Sequence, residues 1–205
     1  MKIGVLGGTF DPIHNGHLTV AETVRDKLVL DEILIVPAGQ PWQKADRHVS
    51  PVEQRIEMVR RAINGRPGYG LSTAEAHRPG NTYSLETLAE IWRRLGAGDE
   101  LYFVLGWDSL DQFPRWYAPE RIIRLCRLVA VPRPGYSRPD VSALEKMVPG
   151  VSPRVVLFDE PHVDVSASQI REMVASGRPI DDLVPPVVAE YIEAHGLYLR
   201  ASAGG

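Results

Sequence analysis

Residues 7 to 17 read Gly7-Gly8-Thr9-Phe10-Asp11-Pro12-Ile13-His14-Asn15-Gly16-His17, and this stretch decides the fold. It follows an apolar run, residues 3–6, that is typical of a buried strand, and it precedes apolar residues at three-to-four spacing from Leu18 to Leu28 that predict one helix face. Paired glycines let the backbone approach a ligand, and a helix N-terminus offers unpaired N–H groups to phosphate. Strand, glycine turn and helix in this order therefore predict a nucleotide-binding unit.

Two histidines lie at the mouth of the predicted helix. His14 and His17 are three residues apart, so both rings face one pocket if the helix begins near Asn15, and both can donate hydrogen bonds to phosphoryl oxygens. Two alternatives are a glycine hairpin with two surface histidines and a metal site. The metal site is disfavoured because no third ligand follows at short spacing.

Composition bounds the classes of protein to consider. The chain has 205 residues, a formal net charge of −3 and one cysteine, Cys126. We expect a single domain, residues 1–205, with an α/β core over about 1–160 and a helical portion over 161–200. The acidic balance argues against nucleic-acid and membrane binding and favours small-molecule partners, and a homo-oligomer is compatible with it. The lone cysteine and the lack of a leader or a long apolar run predict a cytoplasmic protein.

Apolar runs alternate with helical patterns along most of the chain. Strands are predicted over residues 3–6, 32–37, 69–72, 101–106, 128–132 and 154–158, and the last forty residues are predicted to be helical. Continuous apolar runs are typical of strands buried on both faces. The pattern predicts a doubly wound, mostly parallel α/β sheet of the Rossmann-like kind.

Three serines have the spacing of helix-capping residues. Ser50, Ser142 and Ser166 each stand three residues before Glu or Gln, which predicts that each caps a helix. A further helix, predicted over residues 84–95, begins beside Thr82-Tyr83.

The glycine pattern excludes a P-loop and a Gly-x-Gly-x-x-Gly fingerprint, because neither spacing occurs. Gly-Gly-Thr-Phe-Asp-Pro-x-His-x-Gly-His instead resembles the signature of the nucleotidylyltransferase superfamily. Further segments resemble the bacterial nicotinate mononucleotide adenylyltransferase family. They are Pro41 to Lys44, Asn81 to Leu88, Gly106 to Ser109, Phe113 to Trp116, Val131 to Gly135, Val165 to Arg171 and Pro185 to Tyr198. The resemblance implies transfer of AMP from ATP to nicotinate mononucleotide, which gives deamido-NAD and pyrophosphate.

The same resemblance assigns roles to individual residues. It implies three catalytic residues, His14, His17 and Arg171, and Mg²⁺ held mainly by the ATP phosphates without a protein ligand cluster. ATP would be bound by Gly7, Gly8, Thr9, Phe10, Gly106, Asp108, Ser168 and Gln169. Nicotinate mononucleotide would be bound by Lys44, Thr82, Tyr83, Trp116 and Arg133. Family members carry Thr where Ser168 stands, and serine keeps the hydroxyl.

The sequence makes its most specific prediction for the site that binds the acceptor, nicotinate mononucleotide. The helix mouth at Thr82-Tyr83 offers N–H groups to a carboxylate, and Trp116 offers a face on which a pyridine ring can stack, so the acid is favoured over the amide. Each assignment has a simpler alternative. Trp116 could be an ordinary half-buried aromatic residue, Asp108 a helix cap, and Lys44 and Arg133 solvated surface cations. Trp42 is a candidate lid residue.

Three other functions stay open at this level. The first is a sister transferase acting on phosphopantetheine, nicotinamide mononucleotide or a CTP-derived nucleotide. The second is a class I aminoacyl-tRNA synthetase fragment, which the acidic balance disfavours. The third is a nucleotide-binding regulator without turnover, which would have no need of His14, His17 and Arg171 together.

Overall fold

The computed structural model describes residues 1–39, 49–78 and 82–199. Within them, six strands form one parallel sheet in the order β3-β2-β1-β4-β5-β6. The strands are β1 (Lys2–Gly8), β2 (Glu32–Pro37), β3 (Tyr69–Leu71), β4 (Glu100–Gly106), β5 (Arg127–Val131) and β6 (Val155–Leu157). The predicted α/β fold is confirmed.

Helices cover both faces of the sheet. They are α1 (Asn15–Leu28), α2 (Val52–Ile63), α3 (Ser84–Trp92), α4 (Trp107–Gln112), α5 (Pro119–Leu125), α6 (Val141–Met147), α7 (Ala167–Ala175) and α8 (Pro186–Ala194). Short 3₁₀ turns at Phe113–Arg115 and Ser152–Arg154 complete the connections. None of the described helices is long and apolar enough to cross a membrane.

Two apolar clusters hold the helices to the sheet. One cluster takes residues from α1, α2, α7 and α8, such as Val24, Val59 and Ile192, and the other takes residues from α3, α4, α5 and α6, such as Leu88 and Leu110. Each strand of a doubly wound sheet is buried on both faces, which explains the continuous apolar sequence of β4, whose five central residues are all buried.

The direction of winding changes between β1 and β4. The chain moves outward from β1 to β2 and β3 on one side, and from β4 to β5 and β6 on the other. In open α/β sheets, ligands bind in the crevice that this change leaves at the carboxyl ends of the strands. The fold therefore places a ligand site between the loops that follow Gly8 and Gly106.

Of the three serines predicted to cap helices, one does so in the structure. Ser166 caps α7, since its Oγ accepts the amide of Gln169 at 3.2 Å. The prediction for Ser142 is wrong, because Asp140 caps α6 by accepting the amides of residues 142 and 143. The prediction for Ser50 is also wrong, because α2 is preceded by Pro51, and the Ser50 amide donates to Asp11 instead. Helix α3 ends at residue 92, three residues before the predicted end.

Candidate active site

A cleft of about 1240 Å³ opens at the carboxyl ends of β1 and β4. Single small-molecule pockets measure roughly 300–1,000 Å³, so this cleft has room for two nucleotides. It is lined by every sequence-predicted site residue that the structure describes: Gly7, Gly8, Thr9, Phe10, His14, His17, Thr82, Tyr83, Gly106, Asp108, Trp116, Arg133, Ser168, Gln169 and Arg171. Lys44 and Trp42 lie outside the described residues.

His14 and His17 stack at the N-terminus of α1. Their ring centroids are 3.7 Å apart with an interplanar angle of 25°. Nδ1 of His17 accepts the backbone N–H of His14 at 3.3 Å. A nitrogen that accepts a hydrogen bond carries no proton, so the neutral His17 ring carries its proton on Nε2. This tautomer makes Nε2 a donor for a phosphoryl oxygen.

The surroundings of His14 keep its ring neutral. His14 is 5 % exposed. Burial, and secondarily the charge of Arg133, lower the pKa of its imidazole from 6.5 to about 4. Gly16 makes this packing possible, because a Cβ there would lie 2.3 Å from Cγ1 of Val163 and 3.0 Å from Nδ1 of His14.

The turn after β1 is shaped by an aromatic ring. Phe10 is buried in the left-handed region at φ 50°, and the edge of its ring meets the His17 ring at a centroid distance of 4.9 Å. A Cβ at Gly8 would lie 3.0–3.2 Å from the Phe10 ring, a tight contact that glycine avoids. The Gly-Gly-Thr-Phe sequence thus packs the Phe10 ring against the His17 ring.

Arg171 joins helix α7 to the turn after β1. Its Nη1 donates to the carbonyl oxygen of Asp11 at 2.6 Å, and its Nη2 donates to Oγ of Ser168 at 3.2 Å. The amide of Gln169 is already engaged by the Ser166 cap. The N-terminal ends of α1 and α7 therefore both border the cleft, and their dipoles favour an anion there.

Asp108 and Arg133 meet on the β4 and β5 side of the cleft. Nε of Arg133 lies 3.4 Å from Oδ2 of Asp108, while Oδ1 of Asp108 is buried without a hydrogen-bond partner among the described residues. A Cβ at Gly106 would lie 2.3 Å from that Oδ1. Gly106 rather than Asp108 is the N-cap of α4, so the alternative of a capping role for Asp108 is wrong.

Aromatic side chains from the start of α3 and from the segment after α4 also line the cleft. Trp116 is half-buried, and its ring lies against Phe113 and Phe103 at centroid distances of 5.6 and 6.0 Å. Tyr83 stands at the N-cap position of α3 without a capping side-chain bond, and its ring lies 4.8 Å from the more exposed ring of Tyr117. Trp116 is thus anchored in the core and also borders the cleft.

Beneath these rings lies a polar network that the sequence did not indicate. Thr87 Oγ1 donates to Oε1 of Glu75 at 2.7 Å and accepts from Nη1 of Arg78 at 3.0 Å. Burial raises the pKa of the Glu75 carboxyl, and the bond from Thr87 and the charge of Arg78 oppose that rise. The network joins residues 75–78 to Thr87 in the first turn of α3. Thr82 and Tyr83 directly precede this helix.

Sequence comparison identifies the family. Residues 5–173 match the family model described as cytidylyltransferase-like. A Dehalococcoides mccartyi protein named probable nicotinate-nucleotide adenylyltransferase is 48 % identical over 200 residues, covering 98 % of each chain. A Roseiflexus protein of the same name is 45 % identical and covers 96 % of this chain and 97 % of its own. The chain belongs to the nicotinate-nucleotide adenylyltransferase family. The superfamily resemblance drawn from the Gly7 to His17 motif and the family resemblance drawn from the further segments are both confirmed.

Solved structures agree with the fold of this family. The Plasmodium falciparum nicotinic acid mononucleotide adenylyltransferase complexed with NaAD superposes with a TM-score of 0.75 at 23 % identity, over 96 % of this chain and 97 % of that one. The same enzyme complexed with APC gives a TM-score of 0.74 at 22 % identity, over 96 % of both chains. At 22–23 % identity, this likeness shows that the two proteins share a fold.

A buried arginine beneath the family motif was missed by the sequence reasoning. Arg55, on α2, is 1 % exposed and donates to four carbonyl oxygens at 2.7–3.0 Å, those of Thr9, Ala38, Gly39 and Ser50. It thereby joins the loops after β1 and β2 to the segment before α2. One signal could have found it, since Arg55 lies at helical spacing from the buried Met58 and Val59, on the apolar face of α2.

Proposed function

We propose that the protein transfers AMP from ATP to nicotinate mononucleotide, with pyrophosphate as the leaving group. The observation that carries this proposal is the meeting of His14, His17 and Arg171 at two helix N-termini, in one cleft that has room for two nucleotides. Relatives at 45–48 % identity over nearly the whole chain bear the name of this activity. Nicotinate mononucleotide ends in a phosphate, which is the nucleophile that such a site needs.

The transfer is a single in-line displacement. An oxygen of the acceptor phosphate forms a bond to the α-phosphorus of ATP, the bond from that phosphorus to the bridging β-phosphate oxygen breaks, and pyrophosphate leaves. Charge grows on the α-phosphoryl oxygens and on the leaving group, so positioning and electrostatic stabilisation supply the catalysis. No covalent enzyme intermediate is required.

The triphosphate end of the site is assigned to the two histidines and the arginine. His17 donates from Nε2, since its Nδ1 accepts from the His14 backbone. Arg171 is held within reach by the carbonyl of Asp11 and adds a fixed positive charge. Asp108, with a buried and unpartnered Oδ1 among the described residues, is the proposed acceptor for the adenosine ribose hydroxyls.

The acceptor end is assigned to Thr82, Tyr83 and Trp116. Tyr83 precedes α3, so the amides of the first turn offer donors to the nicotinate carboxylate. Trp116 supplies the stacking face. Arg133 is assigned to both substrates, because the family resemblance gives it to the acceptor and it pairs with Asp108, the proposed ribose ligand. Lys44 remains a proposed phosphate ligand from the family resemblance.

Mg²⁺ is expected to enter with ATP. No group of three His, Cys, Asp or Glu side chains that could hold a metal is found in residues 1–39, 49–78 and 82–199. Mg²⁺ keeps several waters and binds through substrate phosphates with one or two carboxylates at most, so it requires no protein ligand cluster. When bound, it neutralises negative charge on the triphosphate.

The proposal is tested by product analysis. The purified protein is incubated with ATP, Mg²⁺ and nicotinate mononucleotide, pyrophosphate is followed by a coupled assay, and the organic product is identified by mass spectrometry. We expect equal amounts of pyrophosphate and deamido-NAD. Pyrophosphate without the dinucleotide, or no turnover with ATP bound, would overturn the proposal and favour a hydrolase or a nucleotide-binding regulator.

A further inference from the structure

Asp11 belongs to the family motif and is among the residues that line the cleft, yet its carboxylate is engaged inside the protein. Asp11 is 3 % exposed. Its Oδ1 accepts the hydroxyl of Tyr198 at 2.6 Å, and its Oδ2 accepts the amide of Ser50 at 3.1 Å. Both carboxylate oxygens are thus used in internal hydrogen bonds.

The backbone of the same residue holds the proposed catalytic arginine. The carbonyl oxygen of Asp11 accepts from Nη1 of Arg171 at 2.6 Å. Two residues earlier, the carbonyl of Thr9 accepts from the buried guanidinium of Arg55 at 2.8 Å. A shift of residue 11 would therefore move Arg171 and the turn that leads into His14.

Tyr198 reaches Asp11 from near the end of the described chain, 187 residues away in sequence. It follows α8 and the buried Leu197, and its backbone has φ 64° in the left-handed region. That region is unfavourable for a bulky residue that is not glycine, so surrounding contacts must hold it there. The hydroxyl also lies 3.9 Å from Sδ of Met58 on α2.

We propose that Tyr198 is a positioning residue for adenylyl transfer, which acts through Asp11 to hold Arg171 and the His14–His17 pair in their catalytic geometry. The inference rests on the proposed function. It makes the segment after α8 part of the active-site support, although Tyr198 is not among the residues that line the cleft. Misplacement of reacting groups by about 1 Å can cost on the order of 10²-fold in rate, so a single buried bond can matter.

The charges around the hydroxyl agree with a donor role. Burial first, and then the neighbouring Asp11 carboxylate, raise the pKa of the Tyr198 phenol, while Ser50 and Arg171 oppose that rise. The net direction is upward, so the phenol keeps its proton at neutral pH. Tyr198 therefore donates to Asp11 at neutral pH.

Tyr198→Phe is the direct test, and the chain offers a matched control. Tyr102, on β4 and 5 % exposed, also donates its hydroxyl to a carboxylate, Oε2 of Glu100 at 2.7 Å, but outside the lining of the cleft. We expect Tyr198→Phe to lower kcat by about tenfold or more, with KM for ATP and for the acceptor each changed by less than about threefold. Tyr102→Phe should keep kcat within about twofold of wild type.

A merely structural role predicts another result. In that case Tyr198→Phe would melt at a lower temperature but, assayed well below its melting point, would have the kcat of wild type, and this would overturn the inference. Imidazole ¹⁵N shifts of His14 and His17 give a second readout. We expect them to change in Tyr198→Phe and to stay unchanged in Tyr102→Phe.

If Tyr198→Phe does not fold, Asp11→Asn tests the same link from the other end. The amide keeps the size of the side chain but has one acceptor oxygen for the two donors, Tyr198 and Ser50. We expect the same loss in kcat, and a wild-type kcat would overturn the inference. The wild-type rate with nicotinate mononucleotide tests the proposed function, whereas the ratio of variant to wild type with any accepted substrate tests the role of Tyr198, so the two failures are distinguishable.

Discussion

Nδ1 of His17 accepts the backbone N–H of His14 at 3.3 Å, and this bond decides which nitrogen of the His17 ring carries the proton. The bond closes the first turn of α1 and leaves Nε2 as the donor. One residue therefore caps its own helix and presents a hydrogen to the cleft. Glu or Gln at this position could accept the same amide but would not project a ring nitrogen toward a phosphate.

His17→Ala is expected to lower kcat by about 10²- to 10³-fold, because it removes a donor to the oxygens on which charge develops. Steady-state kinetics with saturating ATP and nicotinate mononucleotide measure the effect. His195→Ala is the control, since the His195 ring stacks on Tyr191 at 4.0 Å and lies outside the lining of the cleft. Equal rates for the two variants would remove His17 from the catalytic site.

The pKa of His14 makes the stability of the protein depend on pH. The unfolded chain takes up a proton at this residue near pH 6.5, whereas the folded protein does so only near pH 4, because burial and Arg133 lower the pKa of the ring. The free energy of unfolding therefore falls as the pH drops through this window. The contribution of His14 between pH 7 and pH 5 is a loss of about 2 kcal/mol.

Urea unfolding at pH 7 and pH 5 checks this dependence, with wild type compared to His14→Gln. The variant lacks the titrating ring and should lose about 2 kcal/mol less over the same interval. An identical pH dependence in the two proteins would mean that the folded pKa of His14 is close to its ordinary value.

Trp116→Ala is expected to weaken the acceptor far more than ATP. The ring is anchored against Phe103 and Phe113 and borders the end of the cleft assigned to nicotinate. Loss of base–aromatic stacking costs about 1–3 kcal/mol, so KM for nicotinate mononucleotide should rise by roughly 5- to 150-fold while KM for ATP changes little. Trp92→Ala, at the end of α3 and outside the cleft lining, is the matched control. Similar increases in both KM values would remove Trp116 from the acceptor site.

Arg55→Met is expected to lower the free energy of unfolding by about 3 kcal/mol or more, because it leaves four carbonyl oxygens without their shared donor. Arg60→Met on the same helix removes an exposed cation paired with Glu57 and should change stability by about 0.5 kcal/mol or less. Chemical denaturation of both variants measures the difference. A small effect at Arg55 would show that the loops hold their places without it.

The sheet was predictable because its signals are local. A parallel strand buried on both faces has a continuous apolar sequence, and β2 was predicted with the bounds that the structure has, Glu32–Pro37. The cap at Ser166 was predicted for the same reason, since donor and acceptor lie three residues apart. Asp108 could be expected near a ligand because it follows the C-terminal end of a predicted strand. The other cleft residues were named from the family resemblance, and the pairing of β1 with β4 came from the structure.

Other features depend on contacts between distant parts of the chain. The pairing of Tyr198 with Asp11 has no local signature, and the engagement of the Ser50 amide by Asp11 is one reason why the capping pattern there misled. Asp140 displaced Ser142 as a cap because two residues with suitable side chains compete within one turn. The ion pair between Arg133 and Asp108 likewise joined residues that the sequence assigned to different substrates.

The most direct measurement is kcat/KM for three phosphate-bearing acceptors, nicotinate mononucleotide, nicotinamide mononucleotide and phosphopantetheine, with ATP and Mg²⁺ held constant. The N–H groups at the mouth of α3 favour a carboxylate over a carboxamide, and Trp116 requires a flat ring, so we predict the highest value for nicotinate mononucleotide. A higher value for either of the other two would contradict the assigned acceptor and the roles of Thr82, Tyr83 and Trp116.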